Sequence, residues 1–383
     1  MPALLEKGFY SDSYDKDFDH RLGDGFYFED GKVTTKFSCG LALLQFPFYT
    51  LGAAISKLFS IDASPWSAYY LFFINVGAAF YLTAGICFFR KWLARKFSQR
   101  TTLYTVLLTF FGTNLLYYAT DETLMSHLYS FVLASSVLYF LQEYFFIKKW
   151  RFFIGFAICL SLAILVRPTN LLFLPFALIS DTGNFGSKLR RLFALRNVLA
   201  GSIVLFIVIL PQMHYWKFAF GSYLIWSYKG EGFYNWDHPD FFVVWFSPRS
   251  GLFPYSLLLL LSLFTAVFML LKKVRDAWAV LIVFFGVSYL CAAWVNPFFG
   301  VCNYGKRPFV EYLPFLALPL AWLIENMQNL NTVKKRTLSI VLILLVYYNL
   351  ALYSAFNTCY SGNSDWDFMG FLKMFSKGLT IIR

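Results

Sequence analysis

Long apolar runs recur along this chain with short polar connections between them. Eight of them, 66–89, 101–118, 124–147, 197–216, 251–271, 276–296, 309–325 and 337–356, each approach the roughly 20 residues a helix needs to cross bilayer hydrocarbon. Two shorter runs, 152–166 and 170–180, flank "RPTN". Pro168 there disfavours helical geometry at Arg167, so these two read as short helices meeting at a turn, either tilted half-spans or one broken helix. The composition agrees. Only 14% of the 383 residues are charged and 58% are hydrophobic, against roughly 25% charged in a soluble domain. The fold class expected is an all-α polytopic membrane protein with about ten transmembrane helices.

Basic residues set the orientation, because cytoplasmic loops accumulate Lys and Arg. The connections 90–100, 148–151, 188–196, 272–275 and 334–336 hold 18 of them, and the alternating set 119–123, 167–169, 217–250 and 297–308 holds 6. The first set is expected in the cytoplasm and the second outside. The net charge of +12 is therefore a matter of orientation and anionic headgroups, not of nucleic acid.

This alternation closes only if 38–58 does not cross. That segment, "CGLALLQFPFYTLGAAISKLF", has Pro47 near its centre and Lys57 near its end, and it reads as a helix lying in the outer interface or folded back into it. Three regions follow. Residues 1–62 form an outer loop carrying that interfacial helix, 63–356 form the transmembrane domain with an outer loop at 217–250, and 357–383 form a short outer tail. The charged stretch 11–36 has no preceding segment to carry it across, so a first transmembrane helix is expected to be missing. Direct translocation of a short tail is the alternative.

The unusual polar motifs then share one side. "TDETLMSHLYSF" places Asp121, Glu122 and His127 between two apolar runs, where the carboxylates suit the positive start of a helix. Arg167 precedes a proline; Arg249 in "SPRSGLF" and Lys306 and Arg307 in "GKRPF" each open an apolar helix, and Lys36 ends the acidic stretch. Helix starts with Arg or Lys suit phosphate groups, and interfacial anchoring is the plainer reading of each. Together they fit a lipid phosphate, with hydrocarbon for the tail and guanidinium groups for the head. "DHPD" at 237–240 reads as a turn. No His/Cys cluster has metal-ligand spacing, and no metal site is expected. Most of the six cysteines read as buried apolar side chains; Cys302 and Cys359 are near enough in the expected topology to meet outside.

The ordered set "KFSCGLALLQFPFYTLG", "FGTNLLYYATDETLMSHLYSF", "LVRPTNLLFLP", "LPQMHYWKFAFG", "FSPRSGLF" and "NYGKRPFVEYLP" resembles the bacterial polytopic glycosyltransferases of the GT-C superfamily, over roughly residues 1–330. The likeness is to the group that includes protein mannosyltransferases and the transferases adding sugars to lipopolysaccharide. It implies a polyprenyl-phosphate sugar as donor and a hydroxyl of a glycan, lipid or protein as acceptor. It also implies a bacterial inner membrane with the site facing the exterior. In that superfamily the first outer loop follows the first helix and carries an acidic residue that activates the acceptor, and "MPALLEKGFYSD" looks like the part just after that motif. Among the residues present, Glu122 and His127, with Asp121 beside them, become the acid/base candidates. Lys36, Arg167, Arg249, Lys306 and Arg307 become the phosphate candidates. Two other classes stay open. A lipid-linked sugar flippase or polysaccharide exporter would spread polar residues along a path through the helices. An inactive, truncated membrane scaffold would need none of this chemistry.

Overall fold

The computed structural model describes residues 8–14, 25–179, 185–228, 230–300, 302–356, 359–360 and 362–381. It is almost wholly helical. One antiparallel hairpin, β1 (Phe26–Glu29) with β2 (Lys32–Thr35), turns at Asp30–Gly31 in the register Phe26 opposite Thr35. The helices follow in chain order: α1 (Gly40–Leu58), α2 (Ala68–Leu93), α3 (Gln99–Phe111), α4 (Leu115–Thr120), α5 (Ser126–Ile147), α6 (Trp150–Val166), α7 (Phe173–Ile179), α8 (Phe185–Leu192) and α9 (Leu195–Phe220). The C-terminal half adds α10 (Phe241–Phe246), α11 (Leu252–Tyr255), α12 (Leu257–Leu271), α13 (Asp276–Ala293), α14 (Leu313–Leu316), α15 (Leu318–Asn326), α16 (Thr332–Ala355) and α17 (Phe368–Ile381).

Among the described residues six helices are long and apolar enough to cross a membrane: α1, α2, α5, α9, α13 and α16. The bent segment Arg307–Leu316 with Leu318–Asn329 makes a seventh if taken as one span. The chain is thus a helical, membrane-type protein. Three apolar runs expected as single helices are interrupted. Run 101–118 breaks at Gly112–Asn114 between α3 and α4, 251–271 breaks at Ser256 between α11 and α12, and 309–325 divides into a 3-10 turn (Arg307–Tyr312), α14 and α15. A break deep in apolar surroundings frees backbone groups that must find partners. Here Asn349 Nδ2, from α16, donates to the carbonyls of Phe111 (2.9 Å) and Thr113 (3.0 Å), and Ser256 Oγ accepts from the Asn114 N–H (3.1 Å). Side chains from α16 and from the Ser256 break thus serve the Gly112–Asn114 break, while the Ser256 backbone is met locally by Phe253 and Leu259.

The core is built on α5, the most enclosed span, which packs between α2 and α6. The polar side of α3 also turns inward. Thr101, Thr105 and Thr109 recur every fourth residue and are buried, and the hydroxyls of Thr105, Thr109 and Thr113 each donate to the carbonyl four residues back, so their polarity is met within the helix.

Helix α1 is continuous through Pro47 and stands antiparallel to the first half of α2. Phe48 lies against Gly77 and Phe73 against Gly52, and Tyr81 Oη donates to the Leu44 carbonyl (2.8 Å). Its start is wedged against the end of α6: a Cβ on Gly40 would come within 2.5 Å of the Val166 nitrogen. Glycine is what lets the two backbones touch.

At the end of α5 and α2 that carries the basic clusters, Arg95 forms a bidentate pair with Glu143 (2.7 and 2.9 Å), and Lys96 pairs with Asp276 (3.0 Å). His127 to Glu143 is 16 helical residues, or about 24 Å at 1.5 Å per residue. The polar groups described next therefore stand about a hydrocarbon thickness away from these pairs.

Candidate active site

Three separate segments meet at the start of α5. His127 lies in its first turn; Arg167 follows α6 in extended geometry (φ −151°, ψ 121°) because Pro168 follows it; Glu311 comes from the 3-10 turn Arg307–Tyr312. One carboxylate oxygen, Oε1 of Glu311, lies 2.9 Å from His127 Nδ1 and 2.9 Å from Arg167 Nη1. Arg167 Nη1 is also 3.2 and 3.4 Å from the two His127 nitrogens. The consistent hydrogen assignment has Nδ1–H donating to Glu311, which leaves Nε2 to accept from Arg167. Glu311 is fully buried, and its other oxygen, Oε2, has no hydrogen-bond partner among the described residues. A buried carboxylate is tolerated only with such partners, so the trio is a single unit.

Arg307 sits four residues before Glu311. Among the described residues it has no carboxylate within ion-pair distance, and its one hydrogen-bond contact is Met125 Sδ at 3.8 Å. It lies within electrostatic reach of Arg167, Glu122, Tyr118 and Tyr228. Lys306, next to it, is 1% exposed. It donates to the Pro297 carbonyl, lies 3.5 Å from Ser250 Oγ, and faces the rings of Phe298 and Phe299. Gly305 makes this placement possible: its φ of +68° and its closeness to Tyr255 leave no room for a side chain. Burial pulls the Lys306 ammonium down from the usual lysine range to about 7.

Asp121 and Glu122 are not at the start of α5, as the sequence suggested. The N-cap there is Met125, and Asp121 closes α4 instead, so both carboxylates lie in the linker between the two helices. The reason is local: Asp121 N bonds back to the Tyr117 carbonyl, and the carbonyl of Glu122 takes the Met125 N–H in a separate turn. Asp121 is exposed and is held by Thr120 Oγ1 (2.6 Å) and Tyr353 Oη (2.8 Å), both donating. Glu122 is half-buried, and the Tyr117 hydroxyl and the Arg307 guanidinium both favour its ionised form. Burial raises its carboxyl above the usual range.

The other two cations are neutralised. Lys36 pairs with Glu231 (2.6 Å) and stands over the Tyr228 ring (5.9 Å). Tyr228 is itself within electrostatic reach of Arg167 and Arg307, so it is the neighbour common to Lys36 and the trio. Arg249 pairs with Asp365 (2.5 Å) and stacks on Phe298 (4.7 Å), the ring that Lys306 also faces. Within "DHPD", Asp240 accepts from the Val243 N–H (3.0 Å) as the N-cap of α10, a turn as expected. Among the described residues no three His, Cys, Asp or Glu side chains gather as a metal site. The acidic positions 15, 17 and 19 lie outside the described residues.

One functional feature escaped sequence reasoning. Glu311 sits inside the apolar string "PFVEYLP", where a lone buried acid is the one available signal. Cys302 and Cys359, 57 residues apart and the one pair the sequence singled out as able to meet, form a disulfide. Comparison with family models, with curated proteins and with solved structures finds no match for this chain.

Proposed function

We propose that this chain is an integral membrane glycosyltransferase that moves a sugar from a polyprenyl-phosphate donor to a hydroxyl of a glycan, lipid or protein acceptor. We take its membrane to be the bacterial inner membrane, with the site toward the exterior. The apolar segments other than α1 supply about ten membrane-embedded helices, several broken, with α1 as an outer re-entrant helix. The observation that carries the reading is one juxtaposition. Glu122, an Arg307 with no ion pair among the described residues, and the Arg167–Glu311–His127 trio come from three distant segments to one end of the bundle. Two facts support the sidedness. The basic residues cluster at the opposite end. The Cys302–Cys359 bond joins two segments both assigned outside, where disulfides persist.

In this reading the donor's hydrocarbon lies along the lipid-facing helices and its phosphate meets Arg307 and Lys306. The acceptor hydroxyl attacks the anomeric carbon while the bond from that carbon to the phosphate oxygen breaks. Glu122 takes the hydroxyl proton, and the leaving phosphate keeps the electron pair. Arg307, whose charge no described carboxylate cancels, stabilises that developing charge, the differential interaction that lowers a barrier. The trio sets the guanidinium of Arg167 beside Arg307. Incubating the purified chain in vesicles with a radiolabelled polyprenyl-phosphate sugar and candidate acceptors tests this. Transfer that Arg307→Ala abolishes supports it. Movement of the label across the bilayer without transfer means a flippase, and neither outcome means a scaffold.

A further inference from the structure

The described residues after α16 form an organised strap across the outer loops. Cys359 is bonded to Cys302, which stands four residues before Lys306. Tyr360 Oη donates to the Asp367 carbonyl, and the Asp367 carboxylate takes the N–H groups of Asn363 (3.0 Å) and Gly370 (2.8 Å). Trp366 packs on Phe242 at a centroid distance of 6.0 Å, and Phe371 of α17 packs on Tyr255 at 5.5 Å. Between these anchors Asp365 is held on both its groups. Its carbonyl accepts from Ser247 Oγ (3.0 Å), and its carboxylate pairs with Arg249 (2.5 Å). Arg249 also donates to the Gly300 carbonyl (3.4 Å).

The three ion pairs around the candidate site differ in how accessible their carboxylates are. Glu311 is wholly enclosed, whereas the side chains of Asp365 and Glu231 are 44% and 37% exposed. An exposed pair exchanges partners at small cost. Arg249 shares Phe298 with Lys306, so an anion arriving at Lys306 and Arg307 stands next to it.

We propose that the C-terminal strap is an intramolecular competitor: the Asp365 carboxylate occupies at Arg249 the place of an incoming ligand's phosphate and must be displaced for full engagement. This rests on the phosphate-binding reading of the site and adds its regulation. The disulfide keeps the competitor close, so its local concentration stays high whatever the ligand supply.

The test is the affinity of the full-length, oxidised chain in detergent for dodecyl phosphate, with inorganic phosphate run in parallel to separate a lipid phosphate from a free one. An exposed pair of this kind predicts about two- to fivefold tighter binding by Asp365→Asn. The gain should vanish in the Asp365→Asn, Arg249→Gln double variant relative to Arg249→Gln alone. Freeing the strap by Cys302→Ser with Cys359→Ser should give a gain in the same direction, which guards against a local effect of the asparagine. Equal affinity of wild type and Asp365→Asn overturns the strap and leaves the phosphate site standing. If none of the variants binds either probe, the strap and the site reading fall together.

Discussion

The ring of His127 and the carboxylate of Glu311 meet at 2.9 Å across 184 residues of sequence, and the oxygen they share also takes Arg167. Removing one member leaves a buried charge uncompensated, which costs about 3–5 kcal/mol. Glu311→Gln should therefore lower thermal stability in detergent by an amount in that range. Adding Arg167→Met should restore more than half of it, because the stranded guanidinium is then gone. A double variant no better than the single one would show that the trio is not coupled.

Arg307 should behave in the opposite way. It has no ion pair to lose among the described residues, so Arg307→Ala should change stability by under about 1 kcal/mol. In the proposed transferase the same change should lower transfer about a hundredfold, the scale of deleting one preorganised charge-stabilising group. Unfolding curves and initial rates on one preparation separate the two effects.

Lys306 gives a pH dependence of definite sign. Its folded pKa, about 7, lies below its ordinary value, so the ammonium is present below that pH and lost above it. Affinity for a phosphodiester, whose own charge is constant, should fall as pH rises through about 7, by at most about tenfold per unit. Lys306→Met should bind more weakly and with a flat profile. Stability runs the other way: between the folded and the ordinary lysine values the unfolded chain holds more protons, so this group's contribution rises with pH.

The neighbouring carboxylates should part company. Asp121 is exposed and spent on Thr120 and Tyr353, so Asp121→Asn should leave transfer within about twofold. Glu122→Gln should lower it by about a hundredfold or more, the usual value of a general base. Because burial raises the Glu122 carboxyl, and the base works deprotonated, the acid side of the rate profile should lie above the ordinary glutamate range. An unchanged rate for Glu122→Gln would remove it from the chemistry.

Gly40→Ala tests the wedge between α1 and α6. The new methyl group would come within 2.5–2.8 Å of the Leu165 and Val166 backbone, and overpacking of that kind costs about 1–3 kcal/mol. A loss of thermal stability without loss of membrane insertion is the expected result.

The apolar runs were enough to locate the helices, because a run of that length has few other uses. They could not show the break at Gly112–Asn114, whose backbone groups are met by side chains far away in sequence, Asn349 and Ser256. Pro47 counted against a crossing at 38–58, and the segment read as a helix is one, continuous through that proline, as α9 is through Pro211. Phosphate candidates could be gathered by side but not sorted. Only the structure shows that Lys36, Arg167 and Arg249 already hold carboxylates, whereas Arg307 has none within ion-pair distance among the described residues. His127 was visible as an unusual residue, but its role in fixing Arg167 required Glu311, for which the apolar setting of "PFVEYLP" is the one cue and says nothing of the partner.

The helices also differ in height. Helices α2 and α9 have 26 residues each, about 39 Å, while α13 has 18, about 27 Å. α2 and α9 adjoin α5 and α6, and α13 stands with α12 and α15. In a bilayer with a core of about 30 Å the longer pair would tilt or carry their basic ends, Arg90 and Lys91 in α2 and Lys217 in α9, into the headgroups, and membranes of different acyl length should change that tilt measurably.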